Sequence, residues 1–198
     1  MDDNNNKIIK NLELTTQELT LLKSLKNFYT TKKVFNTLTT IINGDNYISR
    51  RTIEYFVTNY ALYNKIHYNI EEKGIVTKFY VHTSYKDQLK AHKKKYFDPF
   101  GRGIRIPFFL ANMCIITTIG QLNFYRWFFS KHIYEYCLEN YNIIQSSLLN
   151  CKKNIKKTKN PNNKCYIKKN KIKYDYKPKI DSIKNSSNNG SIIVSFDI

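Results

Sequence analysis

The sequence has few of the features that mark a secreted, membrane-spanning or metal-binding protein. The amino-terminal residues MDDNNNK lack the positive start and apolar centre of a signal peptide, and no run approaches the roughly 20 apolar residues of a membrane-spanning helix. The chain has four cysteines, Cys114, Cys137, Cys151 and Cys165, and none of them forms a CxxC pair. This spacing is typical of reduced thiols and does not favour a zinc site. We therefore expect a protein that is not secreted, does not insert into a membrane and holds no metal.

Sequence patterns of common catalytic sites are also missing. HExxH, GxSxG, P-loop and GxGxxG motifs do not occur. His92 and His132 lie on or near the packing sides of predicted helices, where a structural role is the simpler interpretation. We expect no catalytic activity and no cofactor. The alternative is a metal-dependent phosphodiester-processing enzyme, in which histidines join Glu54, Asp87 or Asp98.

Acidic residues are scarce beside basic ones. The chain has 15 Asp and Glu against 33 Lys and Arg, a net charge of +18, which attracts nucleic acid or another anionic surface. Most of the basic residues are lysine, and the abundance of Asn, Ile, Lys and Tyr is what an A/T-rich coding sequence produces. Part of the charge therefore has a purely compositional explanation.

Hydrophobic periodicity predicts an α+β fold that begins with three helices. Thr15 and Glu18 form a capping box for the first, Gly44 closes the second and Ser49 caps the third. Their approximate extents follow from apolar residues at helical spacing: 15–29, 34–42 and 49–60.

Alternating apolar residues then predict two β-hairpins forming a small antiparallel sheet. The first hairpin turns over residues 71–74 and the second turns at Asn112. A basic helix lies between the hairpins. After the second, Thr118 caps a long carboxy-side helix, which is apolar on two sides and is therefore expected to be buried.

The composition divides the chain into three parts. Residues 1–12 are expected to be a disordered leader, residues 13–149 a single α+β domain, and residues 150–198 a basic, mostly disordered tail. From Cys151 onward the tail has 13 lysines and three aspartates. Its last residues, SIIVSFDI, are interpreted as a short strand docked on a sheet edge or as a motif for a partner.

The basic helix and the loop behind it are the first candidate binding site. Ser84 is the expected N-cap, the helix starts at Tyr85, and Pro99 ends it near Phe97. One side of this helix is expected to pack: Tyr85, Leu89, His92 and Tyr96. The neighbouring side carries the lysines expected to bind phosphates: Lys86, Lys90, Lys93 and Lys94.

The loop FDPFGRGIRI adds aromatic rings and guanidinium groups to these lysines. Phe100 is expected to stack on bases, and Arg102 and Arg105 to pair with phosphates. The alternative is that the aromatic residues are core and the lysines only a solvated face.

The element order of residues 15–82 also matches a winged-helix module. In that arrangement the third helix reads the major groove, with Arg50 and Arg51 at its start and Thr52, Tyr55 and Asn59 nearby. The alternative is that the two arginines are ordinary surface residues of a helix.

Three sequence blocks together resemble a known protein family: ISRRTIEYFVTNY (48–60), YKDQLKAHKKKYFDPF (85–100) and TTIGQLNFYRWFF (117–129). The family consists of short, uncharacterised proteins encoded by nucleocytoplasmic large DNA viruses of the giant-virus type, and the resemblance covers about residues 45–140. In that family FDPF precedes a Cys-Arg-Arg type of sequence, whereas this chain has Gly101, Arg102 and Gly103. The resemblance implies a viral protein acting in the infected cell or in the particle.

These observations favour a viral nucleic-acid-binding protein without catalytic activity. It would bind DNA or RNA phosphates through the lysine-rich helix, the aromatic and arginine turn, and the basic tail. The alternatives are a virion or scaffold protein that binds other viral proteins, and the phosphodiester-processing enzyme. The expected location is the host cytoplasm, in the viral factory, or the virion, with the nucleus as a further option.

Overall fold

The structure is a computed structural model that describes residues 12, 14–111 and 113–157, with side chains as far as Cys151. Most of the predicted leader, the chain beyond residue 157 and the terminal SIIVSFDI segment lie outside the described residues. Helices and two antiparallel hairpins occur in the described part, which confirms the α+β class.

The three amino-terminal helices follow the capping signals. At the first helix, the Thr15 hydroxyl accepts a hydrogen bond from the Glu18 amide, and the Glu18 carboxylate accepts one from the Thr15 amide. Gly44 ends the second helix in the left-handed conformation, with φ 94°. At the third helix, the Ser49 hydroxyl accepts a hydrogen bond from the Thr52 amide. The third helix has a π-helical middle. The bounds are α1 (Thr16–Phe28), α2 (Lys32–Asn43) and α3, which runs through Arg50–Tyr55, Phe56–Tyr60 and Ala61–Tyr63.

The two predicted hairpins form separate two-stranded sheets instead of one small sheet. Each ribbon packs its inner side into the helical core, where Tyr68 and Phe79 of the first and Phe108 and Ile115 of the second are buried. Both packed sides are thus occupied by helices, and no described strand joins the ribbons. The strands are β1 (His67–Glu72), β2 (Ile75–Tyr80), β3 (Ile106–Leu110) and β4 (Met113–Thr117).

The basic helix, α4 (Val81–His92), starts and ends earlier than expected. Ser84 is not its N-cap, because this residue lies inside the helix and its hydroxyl accepts a hydrogen bond from Trp127 Nε1 at 3.0 Å. The helix does not reach Phe97, because Lys93 adopts a positive φ of 57° and a 3-10 turn (Lys94–Tyr96) follows.

The predicted long carboxy-side helix is divided into three. His132 takes the left-handed conformation, with φ 55°, and Asn140 separates the last two segments. The segments are α5 (Ile119–Ser130), α6 (Ile133–Glu139) and α7 (Tyr141–Lys157). The expected burial is confirmed for α5, in which Leu122, Phe124 and Phe128 have no exposed surface. The predicted domain boundary at residue 149 falls within α7, and the division into domains stays a prediction.

The described cysteines depart in part from the expectation of reduced thiols. Cys114 is a free exposed thiol and Cys137 a free buried one, but Cys151 is disulfide-bonded. Among the described helices, none is long and apolar enough to cross a membrane.

Candidate functional site

The loop that follows α4 is held rigidly by α5. We call residues 97–103 the anchored loop. Gln121 Nε2 and the Tyr125 hydroxyl both donate to the Pro99 carbonyl, at 3.1 and 3.4 Å, and the Asp98 amide donates to the Gly120 carbonyl at 3.2 Å. Gln121 and Tyr125 are completely buried. The loop therefore presents its outward side chains from a fixed backbone.

Two glycines allow the close approach of the loop to α5. Gly101 has φ +67°, and a Cβ at this position would lie 2.4 Å from Gln121 Oε1. A Cβ at Gly120 would lie 2.8 Å from the Lys95 carbonyl oxygen. Neither position tolerates a side chain without displacing its neighbour, so the sequence around the anchored loop is restricted by packing.

Asp98 fixes the orientation of Arg102. Arg102 Nε and Nη2 donate to the two carboxylate oxygens at 3.1 Å each, and the backbone amides of Phe100 and Arg102 also donate to this carboxylate. Burial alone would raise the pKa of Asp98, but the hydrogen bonds from Arg102 and the two amides outweigh it and leave the pKa below its usual value. The Arg102 side chain is 58% exposed, so its outer edge faces solvent.

Phe100 belongs to the same arrangement. It is half-buried, and the Arg102 guanidinium carbon lies 5.5 Å from the centre of its ring. Arg102 thus occupies one side of the ring that was expected to stack on bases. The guanidinium is held by a carboxylate on one edge and lies near an aromatic ring, an arrangement suited to presenting planar donors.

Charged groups of α3 and the anchored loop influence the pKa of Tyr85 in α4. Burial raises the pKa of Tyr85, the negative charges of Glu54 and Asp98 raise it further, and Arg102 opposes them. Burial also raises the pKa of Tyr125, and the positive charge of Arg50 partly opposes that increase. Arg102 thus acts on Tyr85, and Arg50, which is 52 positions away in the sequence, acts on Tyr125.

The predicted lysines are all exposed: Lys86, Lys90, Lys93 and Lys94. None of them forms an ion pair with a described residue. The next lysine differs, because Lys95 Nζ lies 2.9 Å from the buried carboxylate of Glu18. A backbone hydrogen bond from Thr15 and the contact with Lys95 lower the pKa of Glu18 to about 2.

The remaining predicted site residues lie apart from this arrangement. Arg51 is exposed at the start of α3, and Arg105 is exposed between the anchored loop and β3. Thr52 and Tyr55 are buried and hydrogen-bonded to Gln145 and Ser147 of α7. That side of α3 therefore faces the protein interior, and these two side chains do not have the exposure that a groove-reading helix needs.

Sequence patterns did not single out the aromatic and basic residues on the solvent side of the first hairpin. The rings of His67 and Tyr80 lie 5.3 Å apart, and Lys78 Nζ lies 5.5 Å from the centre of the Tyr80 ring. A signal was present in the alternation of β1, where buried Tyr68 and Ile70 alternate with exposed Asn69 and Glu71.

Two residues of the enzymatic alternative, Asp98 and His92, have partners within the fold. The Asp98 carboxylate accepts four hydrogen bonds from Arg102 and neighbouring amides, and the His92 ring stacks on Phe97 with centroids 6.2 Å apart. Within the described residues, no group of three or more His, Cys, Asp or Glu is placed to hold a metal ion.

Comparison with known proteins gives the family of the chain. It is 36% identical over 168 residues to uncharacterized protein L507 of Acanthamoeba polyphaga mimivirus; the match covers 80% of this chain and 65% of that protein. The chain thus spans less than two thirds of this relative's length. No solved structure matches the chain. A family model matches residues 1–197, well beyond the expected 45–140, and the expected resemblance to an uncharacterised giant-virus family is confirmed. The chain belongs to DUF7197, a family of unknown function.

Proposed function

We propose that this chain is a nucleic-acid-binding protein that contacts the phosphate backbone through α4 and the anchored loop. The observation that carries the proposal is that exposed lysines without ion pairs to described residues occur together with one arginine whose orientation is fixed. The lysines of α4 and its carboxyl end are exposed and form no ion pair with a described residue, while Arg102 is fixed by Asp98.

The electrostatic basis of the proposal is the release of counterions. Each phosphate neutralised by a lysine frees condensed cations, which favours binding without reading the base sequence. Arg102 adds a planar donor edge that suits phosphate oxygens, and its fixed position reduces the ordering cost on binding. Binding of this kind needs no catalytic group, and the protein is proposed to act without turnover.

Further lysines of the predicted tail would increase the affinity. Those after residue 157 lie outside the described residues and enter the proposal through the sequence alone, as additional phosphate contacts. The mimivirus relative suggests that the nucleic acid is met in an infected cell, in the viral factory or in the particle.

A second candidate function, binding of other viral proteins, is favoured by the outer side of the second hairpin. Pro107 lies opposite Ile116 and Phe109 opposite Cys114, so that side of β3 and β4 is entirely apolar. Ile116 is 56% exposed. Exposed apolar surface of this kind is typical of a contact with another protein.

Retention of nucleic acid by the purified full-length chain separates the two candidates. The proposal predicts that labelled DNA or RNA binds at low salt and dissociates progressively as salt increases. A chain that binds no nucleic acid at low salt but associates with another viral protein through Ile116 would support the second candidate and contradict the first.

A further inference from the structure

The first hairpin has two different sides. Pairing of β1 and β2 places His67 opposite Tyr80 and Asn69 opposite Lys78 on the solvent side. We call these four residues the ribbon face. The other side, with Tyr68, Ile70 and Phe79, is buried against the helices. The hairpin is therefore fixed on the body by one side and offers the other to solvent.

Tyr80 is the centre of the ribbon face. Its side chain is 46% exposed although it has close neighbours on the same side of the ribbon. The His67 ring lies 5.3 Å away at an interplanar angle of 33°, and Lys78 Nζ lies 5.5 Å from the ring centre. His67 Nδ1 in turn lies 2.8 Å from the Lys65 carbonyl oxygen. The ring is thus restricted in motion while much of its surface remains accessible.

The backbone around Tyr80 is fixed as well. Tyr80 is the last residue of β2 and immediately precedes α4, and the Val81 amide donates to the Ile66 carbonyl at 3.3 Å. The inner side of the ribbon is tied to the end of α5 by the Tyr68 hydroxyl, which donates to the Lys131 carbonyl at 2.6 Å. An aromatic ring on such a backbone loses little entropy when a second ring stacks on it.

The chemistry of the ribbon face suits an unpaired base with its phosphate. An exposed tyrosine ring stacks on any base, an ammonium group next to it neutralises a phosphate, and an exposed amide hydrogen-bonds a base edge. The charged residues on this side of the hairpin are Lys78 and, nearer the turn, Glu71. A paired base cannot reach Tyr80 in this way, because both of its faces are covered in a duplex.

We propose that the ribbon face binds an unpaired base of single-stranded DNA or RNA, with Tyr80 stacking on the base and Lys78 contacting the adjoining phosphate. The inference rests on the proposed function and extends it by naming the class of nucleic acid. Lys86 and Lys90 belong to the helix that begins directly after Tyr80, and Val81 to Lys90 spans about 14 Å along its axis. A strand of a few nucleotides covers this length.

The test compares a labelled single-stranded oligonucleotide with a duplex of the same sequence, using fluorescence anisotropy and the full chain. Replacing Tyr80 with leucine should weaken single-strand binding about tenfold and change duplex binding less than twofold. Replacing Tyr80 with phenylalanine should preserve both affinities. The matched control is Tyr47→Leu, an exposed tyrosine that packs on Tyr141 elsewhere on the surface, and it should change neither.

The outcomes separate the two proposals. If the unmodified chain binds neither oligonucleotide, the proposed function fails. If it binds the single strand and Tyr80→Leu binds equally well, the ribbon-face proposal is overturned while the proposed function stands. Should Tyr80→Leu lose cooperative unfolding, the pair Asn69→Ala and Lys78→Gln decides, because both side chains are exposed. An unchanged preference for single strands in that variant overturns the proposal.

Discussion

The carboxylate of Asp98 accepts hydrogen bonds from both Nε and Nη2 of Arg102, each at 3.1 Å. This pair joins the two halves of the candidate site, because Asp98 is buried against α5 while the outer edge of Arg102 is exposed beside α4. Two parallel hydrogen bonds to one carboxylate fix the plane of the arginine guanidinium group. A lysine ammonium group is a point charge and has no such fixed plane.

Replacing Arg102 with lysine keeps the positive charge but removes the planar guanidinium group that donates two hydrogen bonds to Asp98. We expect nucleic-acid binding to weaken about threefold to tenfold, because the planar donors are absent from the variant. Arg105→Lys is the matched control, since Arg105 is exposed and forms no ion pair with a described residue. Anisotropy titrations at one salt concentration measure both. Equal losses for the two variants would show that the orientation imposed by Asp98 has no effect on binding.

Gly101 and Gly103 offer a direct test of how the anchored loop is restrained. Gly101→Ala should lower the free energy of unfolding by about 2 kcal/mol or more, because φ is positive and the new Cβ meets Gln121. Gly103→Ala should change it by less than about 0.5 kcal/mol, since its Cβ would make only ordinary contact with Thr118. Denaturant unfolding monitored by circular dichroism compares them. Equal stability of the two variants would contradict the described packing.

Acid should remove the stabilisation contributed by Glu18. Its pKa is lowered from 4.5 to about 2 in the folded chain, so its contribution is complete above pH 4.5 and is lost as the pH falls from 4.5 through about 2. At pH 7, Glu18→Gln should be less stable by about 1 kcal/mol, because the amide keeps the capping hydrogen bond but cannot pair with the charge of Lys95.

Thermal unfolding at several pH values tests this expectation. The difference between Glu18→Gln and the unmodified chain should shrink between pH 5 and pH 2. Glu18→Ala should be less stable than Glu18→Gln at pH 7, because it also removes the cap. A difference that stays constant down to pH 2 would mean that the Glu18 carboxylate is not preferentially ionised in the folded state.

Local signals predicted the elements whose partners are near in sequence. The capping box of Thr15 and Glu18, the left-handed Gly44 and the alternation of β1 and β2 all act within a few residues, and the structure contains each of them. The same kind of signal failed at Ser84. Its hydroxyl is used by Trp127, which is 43 positions away, and such a partner is not visible in a local pattern.

In the candidate site, too, local sequence patterns predicted some features, whereas others depend on residues far away in the sequence. The exposure of Lys86 and Lys90 followed from helical spacing, because one side of an amphipathic helix faces solvent. Lys93 and Lys94 are exposed as well, but they lie beyond the end of α4, so that spacing does not account for them. The burial of Thr52 and Tyr55 did not follow from local spacing, because it depends on residues of α7 that lie 93 and 92 positions away. The ribbon face around Tyr80 likewise depends on strand register, which pairs His67 with Tyr80.

The salt dependence of nucleic-acid binding measures how many phosphates Lys86, Lys90, Lys93 and Lys94 neutralise. The test variant carries glutamine at Lys86, Lys90, Lys93 and Lys94. The control variant has the same net charge and carries glutamine at exposed lysines elsewhere, namely Lys23, Lys26, Lys32 and Lys73. Logarithmic affinity is measured against logarithmic salt concentration for both variants and for the unmodified chain. We expect the slope of the test variant to flatten by roughly 0.7 to 0.9 for each phosphate that a lysine no longer neutralises, while the control keeps most of the original slope. Equal slopes and affinities for the test and control variants would contradict this expectation, because the attraction would then come from the overall charge and not from α4.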